Sequence, residues 1–322
     1  MSHRILFAGT PQIAVPLLEA LVSRSEDLGF EVAGILTNPD SRQGRSSTLV
    51  ASPVKIAAEN LGLPVLQFDS LKTESRKAVR ELGADTLVTF AFGKIFGPMF
   101  LSLFSGGCFN VHPSRLPELR GASPVQATIH RKLKNACISL QNVGEKMDEG
   151  DIWTTCDFSL EGTETTLSLS DTISHRAAEF VPKALHDIFC GKLVAHKQTG
   201  NATYCGMIDK NTAFTNFTMT AEDVHAHIRA MYPHPKAWTV YNGAVLSLLS
   251  VWGGFAELES EPPVSGYEPG SVVEFRKDRG IGIACADKLV WVTGFQLSGK
   301  KELDFKAFIN GNRNFLASRL GS

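Results

Sequence analysis

A chain of 322 residues, 43% hydrophobic and 20% charged, has the composition of a globular protein with room for two ordinary domains. No run approaches the roughly 20 apolar residues that cross a bilayer, and the N-terminus enters an apolar strand without a signal-peptide pattern, so a cytoplasmic protein is expected. A net charge of -1 argues against coating nucleic acid by bulk electrostatics but leaves room for a local basic patch, and six scattered cysteines suggest neither a disulfide framework nor a zinc knuckle.

The first part of the chain alternates short apolar runs with amphipathic segments of helix length, the signature of βα units around a mostly parallel, Rossmann-like sheet. Arg4–Ala8 reads as a buried strand. Gly9-Thr10-Pro11 reads as a turn, with Thr10 as N-cap and Pro11 opening a helix to about Ser23. Strands are predicted over Phe30–Thr37, Leu63–Leu66, Thr86–Phe92 and Gly107–Val111. The intervening helices start at Ser52-Pro53 and run near 71–82 and 94–103. Ala136–Val143 and Asp151–Phe158 read as a late strand pair about a glycine-containing turn, and a long helix follows over about Thr165–Phe189.

From Gly191 onward the periodicity fades and small polar residues dominate, as in an interdomain connection. The division predicted is a domain over 1–190, a linker over 191–206 and a second domain over 207–322. In the last, Thr220 caps a short helix, and closely spaced strands from Trp238 to Thr293 read as a small OB-like β-barrel. Trp238, Trp252 and Trp291 are expected in its core, and His225 and His227, two apart on one helix, face different sides.

In open α/β sheets ligands bind beyond the carboxyl ends of the strands. Asn110 and His112 stand at such an end, as do Gly9-Thr10-Pro11 and Phe92-Gly93-Lys94, and the polar turn 144–151 brings Asp148 within reach of His112 if its strand neighbours theirs. An amide can donate to an oxyanion, an imidazole can move a proton, and a carboxylate can support the imidazole. The same residues can equally serve as a turn cap, a backbone-satisfied histidine and an Asx turn. Ser114 and Cys108 lie near but in no nucleophile elbow, which favours direct attack between two substrates over a covalent enzyme intermediate.

Several stretches recur as a set: Ile5–Pro11, Thr37-Asn-Pro-Asp40 with Ser52–Lys55, Phe109–Pro117, Arg120–Gln126, Met147–Asp151, Ala202–Tyr204, Ile228–Pro233, Pro269-Gly270 and Gly299–Lys301. Together they resemble the methionyl-tRNA formyltransferase family nearly end to end. The resemblance implies a formyltransferase fold followed by the small barrel, and transfer of a formyl group from 10-formyltetrahydrofolate to the α-amino group of methionyl initiator tRNA. It implies that Asn110 and His112 polarise the formyl carbonyl while Asp148 orients the histidine and relays a proton. Folate would be gripped by Phe92, Gly93, Lys94 and Ile95, by the loop with Gly144 and Met147, and by the turn Ser114, Arg115, Leu116 and Pro117. Transfer RNA would meet Arg42 and Arg45 in the 38–50 loop, and Arg276, Lys277, Lys300 and Lys301 in the second domain. No metal is required, and a monomer is expected. From Met207 on, 12 Lys/Arg balance 12 Asp/Glu, a departure from the basic character expected of a tRNA-holding domain. A formyltransferase acting on an amino sugar nucleotide, or a tRNA-binding module with an inactive catalytic fold, are the alternatives; the arginine loop weighs against the first and the intact Asn, His and Asp against the second.

Overall fold

Seven apolar segments pair into one sheet: β1 (His3–Gly9), β2 (Phe30–Thr37), β3 (Val65–Gln67), β4 (Thr86–Phe90), β5 (Gly107–His112), β6 (Asn135–Asn142) and β7 (Ile152–Ser159). The computed structural model describes residues 3–42 and 48–321. The strand order is β7-β6-β5-β4-β1-β2-β3. β1 runs parallel to β2 and β4, β4 to β5, and β2 to β3, whereas β6 is antiparallel to β5. β4 is buried along its whole length and β2 at all but one position, as expected of parallel strands covered on both faces. Because the chain runs outward from β1 to β3 and then returns to β4 on the other side of β1, the crevice-forming reversal lies between β1 and β4.

Ser52 caps helix α1 (Pro53–Asn60) by accepting from the Lys55 amide, as predicted. Thr10 does not cap a helix. The chain after Pro11 makes a short 3-10 turn over Gln12–Ala14, and the Thr10 hydroxyl instead donates to the Phe92 carbonyl at 3.2 Å. The helix expected over 94–103 shrinks to one turn, Pro98–Leu101, because Gly97 is extended and Pro98 can only begin a helix. That segment is anchored by packing: Phe92, Phe96, Phe100 and Phe104 are all buried, with successive ring centroids 5.2, 5.5 and 5.7 Å apart.

Packing divides the chain into two units, one of Met1–Gly121, Cys137–Asp157 and Ser170–Tyr204, the other of Ala122–Ala136, Phe158–Leu169 and Cys205–Ser322. In the second, α2 (Ala221–Met231) is capped by Thr220 as expected. The strands there are β8 (Ala237–Tyr241), β9 (Ala244–Val251), β10 (Val272–Arg276), β11 (Gly280–Ala284), β12 (Leu289–Leu297) and β13 (Leu303–Asp304), and they form one sheet in the order β8-β9-β12-β11-β10, with β13 on β12. Among the described residues no ladder joins the end strands β8 and β10. The final residues bridge them instead: Ala317 and Ser318 exchange backbone hydrogen bonds with Val272, and the Gly321 amide donates to the Val240 carbonyl at 3.0 Å. Both exposed edges are thereby partly occupied, which is compatible with an OB-like barrel closed by an irregular segment. Trp291 is buried in this unit, while Trp238 and Trp252 are only half-buried. His225 and His227 each engage a different carbonyl, Gly253 and Ala213. Among the described residues no helix is long and apolar enough to cross a membrane.

Candidate active site

β5 delivers Asn110 and His112 to the same face because side chains two apart on a strand share a side, while Phe109 and Val111 point into the core. The antiparallel register sets Gln141 opposite Asn110 and Ser139 opposite His112. Asp148 arrives from the turn that follows β6. Its carboxylate is the hub: Oδ1 accepts from Gln141 Nε2 at 3.1 Å and Asn110 Nδ2 at 3.4 Å and lies 3.5 Å from His112 Nδ1, while Oδ2 accepts from the Gly121 amide at 2.9 Å. The three residues singled out in the sequence are therefore brought together.

The histidine is oriented from its other nitrogen. Nε2 lies 3.0 Å from the Leu119 carbonyl, which can only accept, so Nε2 carries the hydrogen. Nδ1 then presents a lone pair toward Asp148. Burial holds the His112 pKa below the ordinary imidazole value, opposed by the nearby Asp148 carboxylate and the Leu119 carbonyl. A neutral imidazole with its free nitrogen beside a carboxylate can accept a proton at Nδ1, and the carboxylate stabilises the cation so formed. Cys108, by contrast, is pushed up to about 12 by burial and stays a protonated thiol.

The other predicted residues fall into groups. The Phe92 carbonyl accepts from Thr10 and, at 2.8 Å, from Asn38 Nδ2, so the ends of β1, β2 and β4 are tied together at the reversal point. Gly93 takes φ +84, Lys94 Nζ donates to the Phe68 carbonyl, and Ile95 is 74% exposed. Gly144 and Met147 are exposed on the turn after β6. Ser114 and Leu116 are buried and their turn is clipped to β6, the Ser139 hydroxyl donating to the Ser114 carbonyl and accepting from the Leu116 amide. Arg115 is exposed and paired with Asp157, and Pro117 is buried. Arg42 is exposed where Ser41–Arg42 pairs antiparallel with Leu49–Val50; Arg45 lies outside the described residues. Arg276 pairs with Glu274 and lies 5.3 Å from the Trp291 ring centroid, Lys277 is exposed beside it, and exposed Lys300 and Lys301 occupy a different turn, between β12 and β13.

Sequence reasoning missed Gln141 and Ser139. Their signal was present: two polar residues alternating with Ile138 and Leu140 in a strand that otherwise reads as core. It also missed Gln198, whose Nε2 donates to the Asp148 and Gly150 carbonyls at 2.8 Å each. No local pattern marks that residue.

Residues 3–185 match the formyl transferase family, and residues 207–313 match the formyl transferase C-terminal domain. Methionyl-tRNA formyltransferase of Bacillus cytotoxicus is 34% identical over 320 residues, covering 99% of this chain and 98% of that protein. Among solved structures, HypX from Aquifex aeolicus in complex with tetrahydrofolic acid superposes with TM-score 0.63 at 15% identity, over 96% of this chain and 47% of that one. WlaRD, a sugar 3N-formyl transferase solved in the presence of dTDP and 5-N-formyl-THF, gives TM-score 0.64 at 17% identity, over 94% and 100%. At such identities the two structures speak for the fold alone. The sequence relationship spans both units at a level that fold likeness does not reach: the chain belongs to the methionyl-tRNA formyltransferase family.

Proposed function

We propose that this chain catalyses the reaction for which its family is named, transferring the formyl group of 10-formyltetrahydrofolate to the α-amino group of methionyl initiator tRNA. The observation that supports this acceptor over a sugar is that 34% identity extends through 99% of the chain, second unit included. The donor supplies the formyl group already activated on nitrogen. In this reading Asn110 directs its remaining Nδ2 hydrogen at the oxygen on which charge builds, an interaction that strengthens toward the transition state. His112 Nδ1 takes the proton released by the attacking amine, Asp148 stabilises the imidazolium, and the proton passes on to the departing nitrogen. The carbon–nitrogen bond that forms replaces the one that breaks, so no covalent enzyme intermediate is needed, and positioning of the two substrates carries much of the acceleration.

The loops after β4 and β6, the two neighbours of β5, carry Ile95 and Met147 with 74% and 57% exposure. Large apolar side chains left open on both flanks of Asn110 and His112 suit the flat ring of a folate, which would bury them. Phe92–Ile95, Gly144 and Met147 are assigned to that ring. In the segment Ser114–Pro117, only Arg115 offers an exposed side chain, and the rest contribute the shape of the turn. Arg42 and Arg45, with Arg276, Lys277, Lys300 and Lys301, are assigned to tRNA phosphates, residues 1–190 to catalysis and 207–322 to tRNA binding by a cytoplasmic monomer. Incubated with 10-formyltetrahydrofolate, the purified chain is expected to formylate charged initiator tRNA and to leave UDP-amino sugars and dTDP-amino sugars untouched; an amino sugar product without formyl-tRNA would overturn the assignment.

A further inference from the structure

Two non-glycine residues beside His112 hold left-handed backbone: Asp148 and Leu119, both at φ +57. One supplies the carboxylate facing Nδ1 and the other the carbonyl facing Nε2. Such conformations persist only where the surroundings over-determine them. For both residues the surroundings include the segment 196–204, which the sequence places in the linker and marks only by the family-like stretch Ala202–Tyr204.

Gln198 uses both ends of its carboxamide around the Asp148 turn, with a further 3.4 Å contact from Nε2 to Gln141 Oε1. Nε2 donates to the Asp148 and Gly150 carbonyls, and Oε1 accepts from Arg120 Nη2 at 2.6 Å and Nε at 3.2 Å. Arg120 Nη1 in turn pairs with Glu149 Oε1 at 3.1 Å, so Gln198 holds Asp148 and Gly150 while Arg120, bonded to Gln198, holds the residue between them. The amide next to Arg120, that of Gly121, holds Asp148 Oδ2. Thr203 does the matching work at the other end: its Oγ1 accepts from the Leu119 amide at 2.9 Å, its amide donates to the Pro117 carbonyl, and its carbonyl accepts from the Arg120 amide. His196 sets the register by exchanging backbone hydrogen bonds with Ile152 at 2.8 and 2.9 Å.

We propose that Gln198 and Thr203 are positioning residues, holding the Asp148 carboxylate and the Leu119 carbonyl at the two nitrogens of His112, so that the segment after α3 (Thr166–Phe189) is part of the catalytic apparatus. A carboxylate cannot replace the Gln198 amide, because two carbonyls require two donors. Leucine preserves the bulk and removes every one of these bonds.

The inference rests on the reading of Asn110, His112 and Asp148 as the reacting set, and its test separates the two. In the full chain, Gln198→Leu is expected to lower kcat for Met-tRNA formylation by roughly tenfold to a hundredfold, with KM for donor and tRNA within about threefold. Added to Asp148→Asn, the same change should cost less than about threefold more, since both act through one carboxylate. Thr203→Val should behave like Gln198→Leu, while Thr203→Ser, which restores the acceptor, should stay within about twofold of the parent. The imidazole nitrogen-15 signals of His112 should move in Gln198→Leu and Thr203→Val but not in Thr203→Ser. A Gln198→Leu kcat within twofold of the parent, a multiplicative loss on Asp148→Asn, or unmoved His112 signals would each overturn the positioning role. A parent chain that formylates no Met-tRNA would instead overturn the reading of function, and the nitrogen-15 signals would still decide whether the linker positions His112.

Discussion

Asn110 is half-buried, and its amide already gives one hydrogen to Asp148 Oδ1 across a long 3.4 Å contact. The second hydrogen is the group available to an oxyanion, so removing the amide should cost turnover far more than binding. Asn110→Ala is expected to lower kcat by roughly a hundredfold or more with KM little changed, measured by steady-state formylation of Met-tRNA. A kcat near that of the parent would show that charge builds elsewhere. At this scale the sequence was informative where chemistry crowds into a motif. Asn110, His112 and Asp148 stood out because two polar residues close an apolar strand and an acid follows the next one, and the family resemblance turned that pattern, which also fits turn caps, into a reacting set. Gln141 could have been read from alternation. Gln198 could not, because its partners lie far away in the chain and its own neighbours carry no period, while Thr203 was marked only as part of the family-like stretch Ala202–Tyr204, with no role attached.

At the level of elements, the site depends on how tightly the turn after β6 folds back on that strand. A Cβ at Gly150 would lie 1.8 Å from the Asn142 carbonyl oxygen, so any other residue there pushes the turn off β6. Asp148 and the two carbonyls held by Gln198 would move with it. Gly150→Ala is therefore expected to lower kcat at least tenfold, as misplacement by about an ångström does, while the sheet survives. Kinetics alongside thermal melting check this: a full loss of folding, or unchanged turnover, would each contradict it. The strands that frame the turn, β6 and β7, were legible as a pair of strand-like runs on either side of a glycine-containing polar turn. The segment 94–103 was not, since four phenylalanines at helical spacing imitate a helix while Gly93, Gly97 and Pro98 prevent all but one turn. Thr10 was misread for a related reason: a hydroxyl before a proline looks like a cap until a carbonyl from another strand, that of Phe92, competes for it.

For the whole molecule, acid stability follows from histidines buried without charge. His225 gives Nε2 to the Gly253 carbonyl, and its Nδ1 accepts from Arg229 Nε at 3.1 Å, leaving no place for a second proton. Burial, followed by the Arg229 charge, lowers its pKa to about 3. His112, His130 and His227 are also lowered, each mainly by burial. Below the ordinary imidazole value of about 6.5 the unfolded chain binds protons that the folded chain refuses, so stability is fully present above that pH and is lost as pH falls. Each such histidine contributes a slope of at most about 1.4 kcal/mol per pH unit, and His225 goes on contributing almost to pH 3. Asp40 and Asp223, whose pKa values are lowered by Lys55 and Lys132, lose their contribution only below the usual carboxylate range, so the window from pH 6.5 to 5 belongs to the histidines. The urea midpoint is expected to fall steadily through that window. His225→Gln, which keeps an amide donor near Gly253 and cannot titrate, should be less stable at pH 7 yet show a slope shallower by up to one proton; an unchanged slope would mean that His225 is protonated in the folded state.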